Sequence, residues 1–224
     1  MHIRIILKRI LFPVLRPLSS WYLSKPRRYR YEQIRIMVHP GVFHPGLFLS
    51  TQYLLEYLKK QNLKGATLLE LGAGSGLISL FAANKGSVVT ASDISQAAVE
   101  NIRTNAESND SPIEVVHSDL FSNIRNSAFD WVVINPPYYP KKPKSEKEFA
   151  WYCGENHEYF VRLFAQLPQY IHELSRVVMI LSEDCAIDMI RSLARSEGLG
   201  MNLVEKRRIW GEWNYIFQIR RGQY

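Results

Sequence analysis

Thr67-Leu68-Leu69-Glu70-Leu71-Gly72-Ala73-Gly74-Ser75-Gly76 is an apolar run of strand length that passes directly into glycines at alternate positions. Leu77 to Ala83 then opens a helix that stops near Lys85-Gly86, and a second apolar run, Ser87 to Ser92, ends in Asp93. A strand, a glycine turn, a helix and another strand of this length make one right-handed βαβ unit, and hence a parallel α/β sheet. Ligands in such sheets bind beyond the carboxyl ends of the strands, where glycines let the backbone come close and an acid on the next strand tip can hold ribose hydroxyls.

The spacing separates this turn from a dinucleotide site. That fingerprint reads Gly-x-Gly-x-x-Gly, whereas this chain reads Glu70-x-Gly72-x-Gly74-x-Gly76. A carboxylate at Glu70 suits a cationic ligand and would repel a diphosphate. Further along, Ile94 to Asn105 reads as a helix with Ser95 as its N-cap. Ile113 to His117 reads as a third strand followed by Asp119, placed to accept a hydrogen bond from an adenine amino group.

Phe129 to Ile134 is a fourth strand, and Asn135-Pro136-Pro137-Tyr138 stands at its end. Two prolines fix φ twice and remove two backbone donors. An amide side chain, a carbonyl and an aromatic ring side by side suit a planar NH2 group. Lys141 to Lys147 reads as an exposed loop near the site, His157 to Ile171 as a helix, Ser175 to Leu181 as a strand and Asp184 to Ser196 as a helix. Asn202 to Trp210 and Trp213 to Arg220 read as a terminal hairpin turning at Gly211-Glu212.

Upstream the chain is different. The net charge is +7 over 224 residues, but residues 1–35 hold nine Lys or Arg (Arg4, Lys8, Arg9, Arg16, Lys25, Arg27, Arg28, Arg30 and Arg35) against Glu32 alone. The expected organisation is a basic extension over residues 1–41 and one domain over 42–224. Such an arm points to an anionic partner: RNA, a ribosome or a membrane surface. Residues 1–23 have helical apolar spacing broken by Pro13 and Pro17, consistent with a helix packed on the domain or lying on a surface. Ser24 to Tyr31 interleaves cations with aromatic rings, which fits either nucleic acid or a surface strand. Gln33 to Val38 reads as a short strand and Leu47 to Lys60 as a helix.

No apolar run is long enough to predict a spanning helix, and charges and Pro13 break the N-terminal apolar stretch, so a signal peptide is not expected. Cys153 and Cys185 lack metal-ligand spacing and fit a reduced cytoplasmic setting. His39 and His44 form a pair without a third ligand, and no metal site is expected.

Glu70-Leu71-Gly72-Ala73-Gly74-Ser75-Gly76, Asp93 and Asn135-Pro136-Pro137-Tyr138 together resemble the class I S-adenosylmethionine-dependent methyltransferases. Within them the chain is similar to the small-domain group with the Asn-Pro-Pro-Tyr signature. That group includes the HemK/PrmC glutamine methyltransferases of release factors and the adenine-amino methyltransferases. The resemblance covers about residues 42–220. It implies a Rossmann-like seven-stranded mixed sheet with helices on both faces and a C-terminal antiparallel hairpin. It implies S-adenosyl-L-methionine as cofactor, with Gly72, Gly74 and Gly76 along its methionine part, Asp93 on the ribose, and Ile94, Asp119 and Leu120 around the adenine. Glu70 and Thr51 would be on the cofactor side. Asn135 and the Pro136 carbonyl would hold the acceptor nitrogen, with Pro137 shaping the turn and Tyr138 against the acceptor plane.

Val42-Phe43-His44-Pro45 to Ser50-Thr51, and Ala150-Trp151-Tyr152-Cys153-Gly154, are similar to stretches of the short branch of the HemK group. Ser50 departs from it by standing where an aspartate usually precedes the threonine, and two extra residues separate Pro45 from Thr51. The leading expectation is methylation of a protein amide, such as a glutamine in a translation factor. The rival is an exocyclic amino group of adenine or guanine in RNA or DNA, favoured by the basic arm. A non-catalytic cofactor- or partner-binding scaffold is the reading of another class, and the intact glycine loop and signature oppose it.

Overall fold

The computed structural model of the chain describes residues 22–47, 49–125 and 127–222. Most of the segment expected as a broken helix over residues 1–23 lies outside them. The described chain begins with a hairpin, β1 (Arg27–Tyr31) and β2 (Ile34–Val38), followed by helix α1 (Leu49–Lys59). The sheet elements then alternate with helices: β3 (Thr67–Leu71), α2 (Leu77–Asn84), β4 (Val88–Asp93), α3 (Gln96–Ser108), β5 (Ile113–His117) and β6 (Phe129–Ile134). The remainder is α4 (Glu158–Gln166), β7 (Ile171–Ser182), α5 (Ile187–Ser196), β8 (Leu199–Ile209) and β9 (Glu212–Arg221).

The main sheet has seven strands in the order β5-β4-β3-β6-β7-β9-β8. Five strands are parallel, and β9 and β8 complete the edge antiparallel. The order reverses between β3 and β6, and such a switch point opens a crevice at the strand carboxyl ends.

Alternation along the strands builds a core on each face. Leu69, Leu71, Val132, Ile134, Val177 and Met179 pack with Phe160, Leu163 and Phe164 of α4 and Ile190 of α5. Their neighbours Leu68, Trp131, Val133, Val178 and Ile180 point the other way, onto α1, α2 and the β2 face. Strands covered on both faces read as continuous apolar runs, which is why β3 and β6 are so apolar. The charged exceptions are Glu70, which is buried, and Asp130, which is partly exposed near the start of β6.

The N-terminal hairpin belongs to this second core from Arg27 on, although it lies in the stretch expected as an extension. Ile34, Ile36 and Val38 are buried. Asn101 and Asn105 of α3 and Asn109 at its C-cap, four residues apart and so on one face, complete the docking. Asn109 Oδ1 accepts from Arg35 N (3.1 Å), Asn105 Oδ1 from Met37 N (2.9 Å) and Asn101 Oδ1 from His39 N (3.0 Å). Their Nδ2 groups donate back to the carbonyls of Arg35 and Met37. Asparagine side chains thus take the place of a neighbouring strand, each such bond contributing about 1 kcal/mol.

Two element boundaries moved. The helix expected to run to Ile171 stops at Gln166, because Pro168 cannot continue it, and a short 3-10 turn over Leu167–Tyr170 leads into β7. The terminal hairpin turns at Trp210-Gly211 rather than Gly211-Glu212, since Ile209 pairs with Glu212. Among the described residues no helix is long and apolar enough to cross a membrane.

Candidate active site

A cavity of about 1310 Å3 opens where β3, β4, β5 and β6 end. A pocket for one small ligand is typically ~300–1,000 Å3, so this space suits two reactants side by side.

On one side the glycine turn leaves β3. Gly72 and Gly74 have φ of 69° and 54°, which disfavours any residue with a Cβ. A Cβ on Gly72 would meet no atom within 4 Å, so this backbone faces open space. Gly76 does not line the cavity, contrary to its expected place along the methionine part. A Cβ there would press on Ile102 at 3.1 Å, so it lets the turn settle on α3. Asp93 holds the turn: its Oδ2 accepts from Gly74 N at 2.8 Å and its Oδ1 from Ser95 N at 2.9 Å. Burial pushes its pKa up, opposed by these backbone donors. Asn105 Nδ2 also donates to Ser75 O at 3.0 Å, joining the turn to the helix that carries the hairpin.

Glu70 is buried at the base of the turn, and Ser79 Oγ donates to its Oε2 at 2.5 Å. Burial raises its pKa to about 8, so at neutral pH the carboxyl is mostly protonated. A cation entering the cavity would favour its ionised form. Ser79 is the only polar residue of α2 before its last position, and that isolated hydroxyl in an apolar helix is the one sequence signal of this contact.

Ile94, Asp119 and Leu120 line the neighbouring wall. Asp119 pairs with Arg162 of α4 at 2.6 Å, both about half exposed. Such a pair in water contributes about 0–1 kcal/mol, and its effect is to orient the carboxylate. Arg162 and Tyr159, which also line this wall, come from a helix whose facing no local motif announces.

The signature forms the opposite side. Asn135 Nδ2 donates to Ser50 Oγ at 3.2 Å and Tyr138 Oη donates to Asn135 Oδ1 at 3.0 Å. Two bonds on its two ends fix the amide plane, and Oδ1 keeps a lone pair for another donor. Burial drives the Tyr138 hydroxyl far above its ordinary pKa, so it stays a neutral donor. Thr51, buried in the first turn of α1, and Pro136 and Pro137 line the same cavity. The chain after the signature folds back on itself: Tyr139 N donates to Trp151 O and Cys153 N to Tyr139 O, both at 2.9 Å. This sets Trp151 against Phe43, ring centroids 5.5 Å apart. Lys142, Pro143 and Glu146 of the expected loop are on the wall as well.

The remaining expectations fall elsewhere. Tyr29 and Tyr31 pack against the core, and Tyr29 Oη accepts from Gln52 Nε2, so Arg27–Tyr31 is a surface strand whose rings are engaged by the domain. Arg27 Nε donates to Tyr22 O and Arg30 Nε to Glu32 O. Arg4, Lys8, Arg9 and Arg16 lie outside the described residues. His44 is buried with its Nδ1 accepting from Gly46 N, and among the described residues no three His, Cys, Asp or Glu gather as for a metal.

Open glycine backbone, an acid at the next strand tip and a carboxyl that a cation would ionise fit a sulfonium nucleoside. Comparison with known proteins agrees. The profile of the methyltransferase small domain matches residues 33–152. A protein of Methanocaldococcus jannaschii named "Putative protein N5-glutamine methyltransferase" is 34% identical over 156 residues, covering 67% of this chain and 76% of that protein. The ribosomal protein L11 methyltransferase of Thermotoga neapolitana is 31% identical over 180 residues, covering 80% of this chain but only 60% of the relative. Among solved structures, the 16S rRNA N2 G1207 methyltransferase of T. thermophilus, in complex with AdoMet and guanosine, shares the fold. Its TM-score is 0.58 at 20% identity, over 88% of this chain and 50% of that one. The chain belongs to the methyltransferase small domain family and is a class I, HemK/PrmC-like methyltransferase that uses S-adenosyl-L-methionine.

Proposed function

We propose that the protein methylates a planar amide nitrogen of a protein, a glutamine side chain such as that of a translation factor. The observation that carries this reading is the amide of Asn135, fixed on the cavity wall by Ser50 and Tyr138 with an acceptor lone pair left over. The glutamine specificity in the name of the 34% identical relative supports it.

An amide nitrogen is a poor nucleophile because its lone pair is delocalised into the carbonyl. When bound, the cofactor supplies a methyl group on a sulfonium. In our reading Asn135 Oδ1 and the Pro136 carbonyl accept the two N–H bonds of the substrate amide and hold its face toward that methyl. Tyr138 packs on the amide plane and polarises Asn135 through its hydroxyl. Gly72 and Gly74 lie along the donor's amino-acid part and Asp93 on its ribose, with Ile94, Asp119 and Leu120 at the base. Glu70 and Thr51 close that side. Orientation of this kind is worth about 7–11 kcal/mol in ideal intramolecular cases, so no strong base is required. Buried thiols at Cys153 and Cys185, their pKa values raised to about 11 and about 12, suit the cytoplasm we assign to it.

The test is transfer of label from the cofactor to a cell lysate. We expect label that protease removes and nuclease spares. Asn135→Ala should lower turnover by about 100-fold, the scale of losing one oriented polar group in an active site, with cofactor affinity nearly unchanged. Label removed only by nuclease would replace the glutamine by a base amino group, which the same amide grip would also fit.

A further inference from the structure

Asn105 of α3 touches both the N-terminal hairpin and the glycine turn. Its Oδ1 accepts from Met37 N of β2 at 2.9 Å. Its Nδ2 donates to Met37 O at 2.9 Å and to Ser75 O of the turn at 3.0 Å. A primary amide has two N–H donors, so both are used on these two carbonyls. The residue is 1% exposed, and a partner lost here would leave a buried group unsatisfied. Asparagine is a weak choice for a helix interior because its side chain competes for backbone groups. In α3 that competition is turned outward, onto the backbone of two other segments.

Asn101, one turn earlier, is the contrast. It is buried too, and it docks the same strand: Oδ1 accepts from His39 N at 3.0 Å and Nδ2 donates to Met37 O at 2.7 Å. Neither bond reaches the turn. Asn105 does for the hairpin what Asn101 does, and adds the bond to Ser75.

The turn is held at three successive residues. Ser92 O accepts from Ala73 N at 2.9 Å, Asp93 Oδ2 accepts from Gly74 N, and Asn105 donates to Ser75 O. The first two anchors come from β4, the neighbouring strand. The third carries the position of the hairpin, whose own residues do not line the cavity although Ser75 does. The chain leaving β2 comes back to the same turn: Gly41, Val42 and Phe43 are on the cavity wall, and a Cβ on Gly74 would lie 3.4 Å from Phe43 Cβ.

We propose that Asn105 is a positioning residue for the methyl donor, fixing the Ser75 peptide so that docking of the N-terminal hairpin sets the affinity for S-adenosyl-L-methionine. The inference rests on the reading that lays the donor along Gly72 and Gly74, and extends it to a segment outside the cavity. Such coupling is reciprocal, so a bound donor tightens the hairpin by the same factor.

Calorimetry and amide hydrogen exchange on the full chain test it, with S-adenosyl-L-homocysteine as the probe. Asn105→Ala should weaken binding about tenfold, within the usual range of coupling between two sites. Asn101→Ala removes bonds to the hairpin alone, so it should lower thermal stability comparably and leave affinity within about twofold. His39 N–H, held by Asn101, reports the hairpin: saturating probe should slow its exchange about tenfold in the unaltered protein and leave it unchanged in Asn105→Ala. Should Asn105→Ala fail to fold, Asn105→Asp, which keeps the acceptor for Met37 N, takes its place with the same expectations. Unchanged affinity in the Asn105 variant, equal losses in the Asn101 and Asn105 variants, or exchange at His39 indifferent to the probe would overturn the proposal. Asp93→Ala separates it from the reading beneath it. If Asp93→Ala weakens binding and the Asn105 variant does not, the donor site stands and the relay falls. If neither does, the turn does not hold the donor and both fall.

Discussion

The two sides of the cavity handle polar groups differently. On the side we propose for the methyl donor, Glu70 and Asp93 are held by Ser79 and by the backbone N–H groups of Gly74 and Ser95. The turn they support is tied to α3 through Asn105. On the acceptor side Asn135 is held by the side chains of Ser50 and Tyr138, and the rim ends in the solvent-exposed ring of Trp210. Backbone donors move little, so the donor side is preorganised for one invariant ligand. Side-chain partners can be exchanged one at a time, so acceptor preference can change without disturbing the methyl donor.

Breaking the donor side should therefore have the larger effect on cofactor affinity. Asp93→Ala leaves the Gly74 and Ser95 donors without their acceptor, and each unsatisfied buried group costs about 1–3 kcal/mol. Cofactor affinity by calorimetry should fall by about 100-fold, in contrast to Asn135→Ala. Equal losses in the two variants would erase the distinction between the sides.

Glu70 sharpens the comparison through pH. Its folded pKa, about 8, lies above the ordinary 4.5, so the folded protein holds this proton more tightly than the unfolded chain. Its stabilising contribution is complete below about 4.5 and lost as pH rises toward 8, at up to about 1.4 kcal/mol per unit. Thermal denaturation of the cofactor-free protein should show this slope, and Glu70→Gln should flatten it. A cationic cofactor favours the carboxylate, so binding near pH 7 should release protons, read as a binding heat that varies with buffer ionisation enthalpy. Buffer-independent heats would leave Glu70 without an electrostatic part.

The smallest effect is expected at Ser50. Ser50→Ala removes one of the two bonds on Asn135 while Tyr138 keeps the other. Turnover should fall only several-fold, about 1 kcal/mol for one neutral hydrogen bond, with cofactor affinity unchanged. A loss as large as that of Asn135→Ala would show that Ser50 has a part in holding the substrate itself.

Much of this molecule was legible before any coordinates. β5 and β6 have the bounds read from their apolar runs, and the glycine turn, Asp93, Asp119 and Asn135 fall at successive strand ends because period and turn chemistry are local. The hairpin turn lies one residue before its expected place, since tryptophan in left-handed backbone runs against local preference. The strand at Arg27–Tyr31 was undecided because charge and aromaticity serve an RNA surface and a packed strand equally; only the docking of Tyr29 and Tyr31 separated them.

What the sequence determined by itself was the βαβ frame, the glycine turn after β3 and the tetrapeptide Asn135-Pro136-Pro137-Tyr138 at the end of β6, all readable within one strand and the turn that follows it. Tertiary structure decided what those residues touch. It placed Ser79 under Glu70, Arg162 on Asp119, three asparagines along β2 and Trp210 on the wall of the cavity that Asn135 also lines. These contacts join segments up to tens of residues apart. Their partners are chosen by how helices settle on a twisted sheet, and no spacing along the chain encodes that.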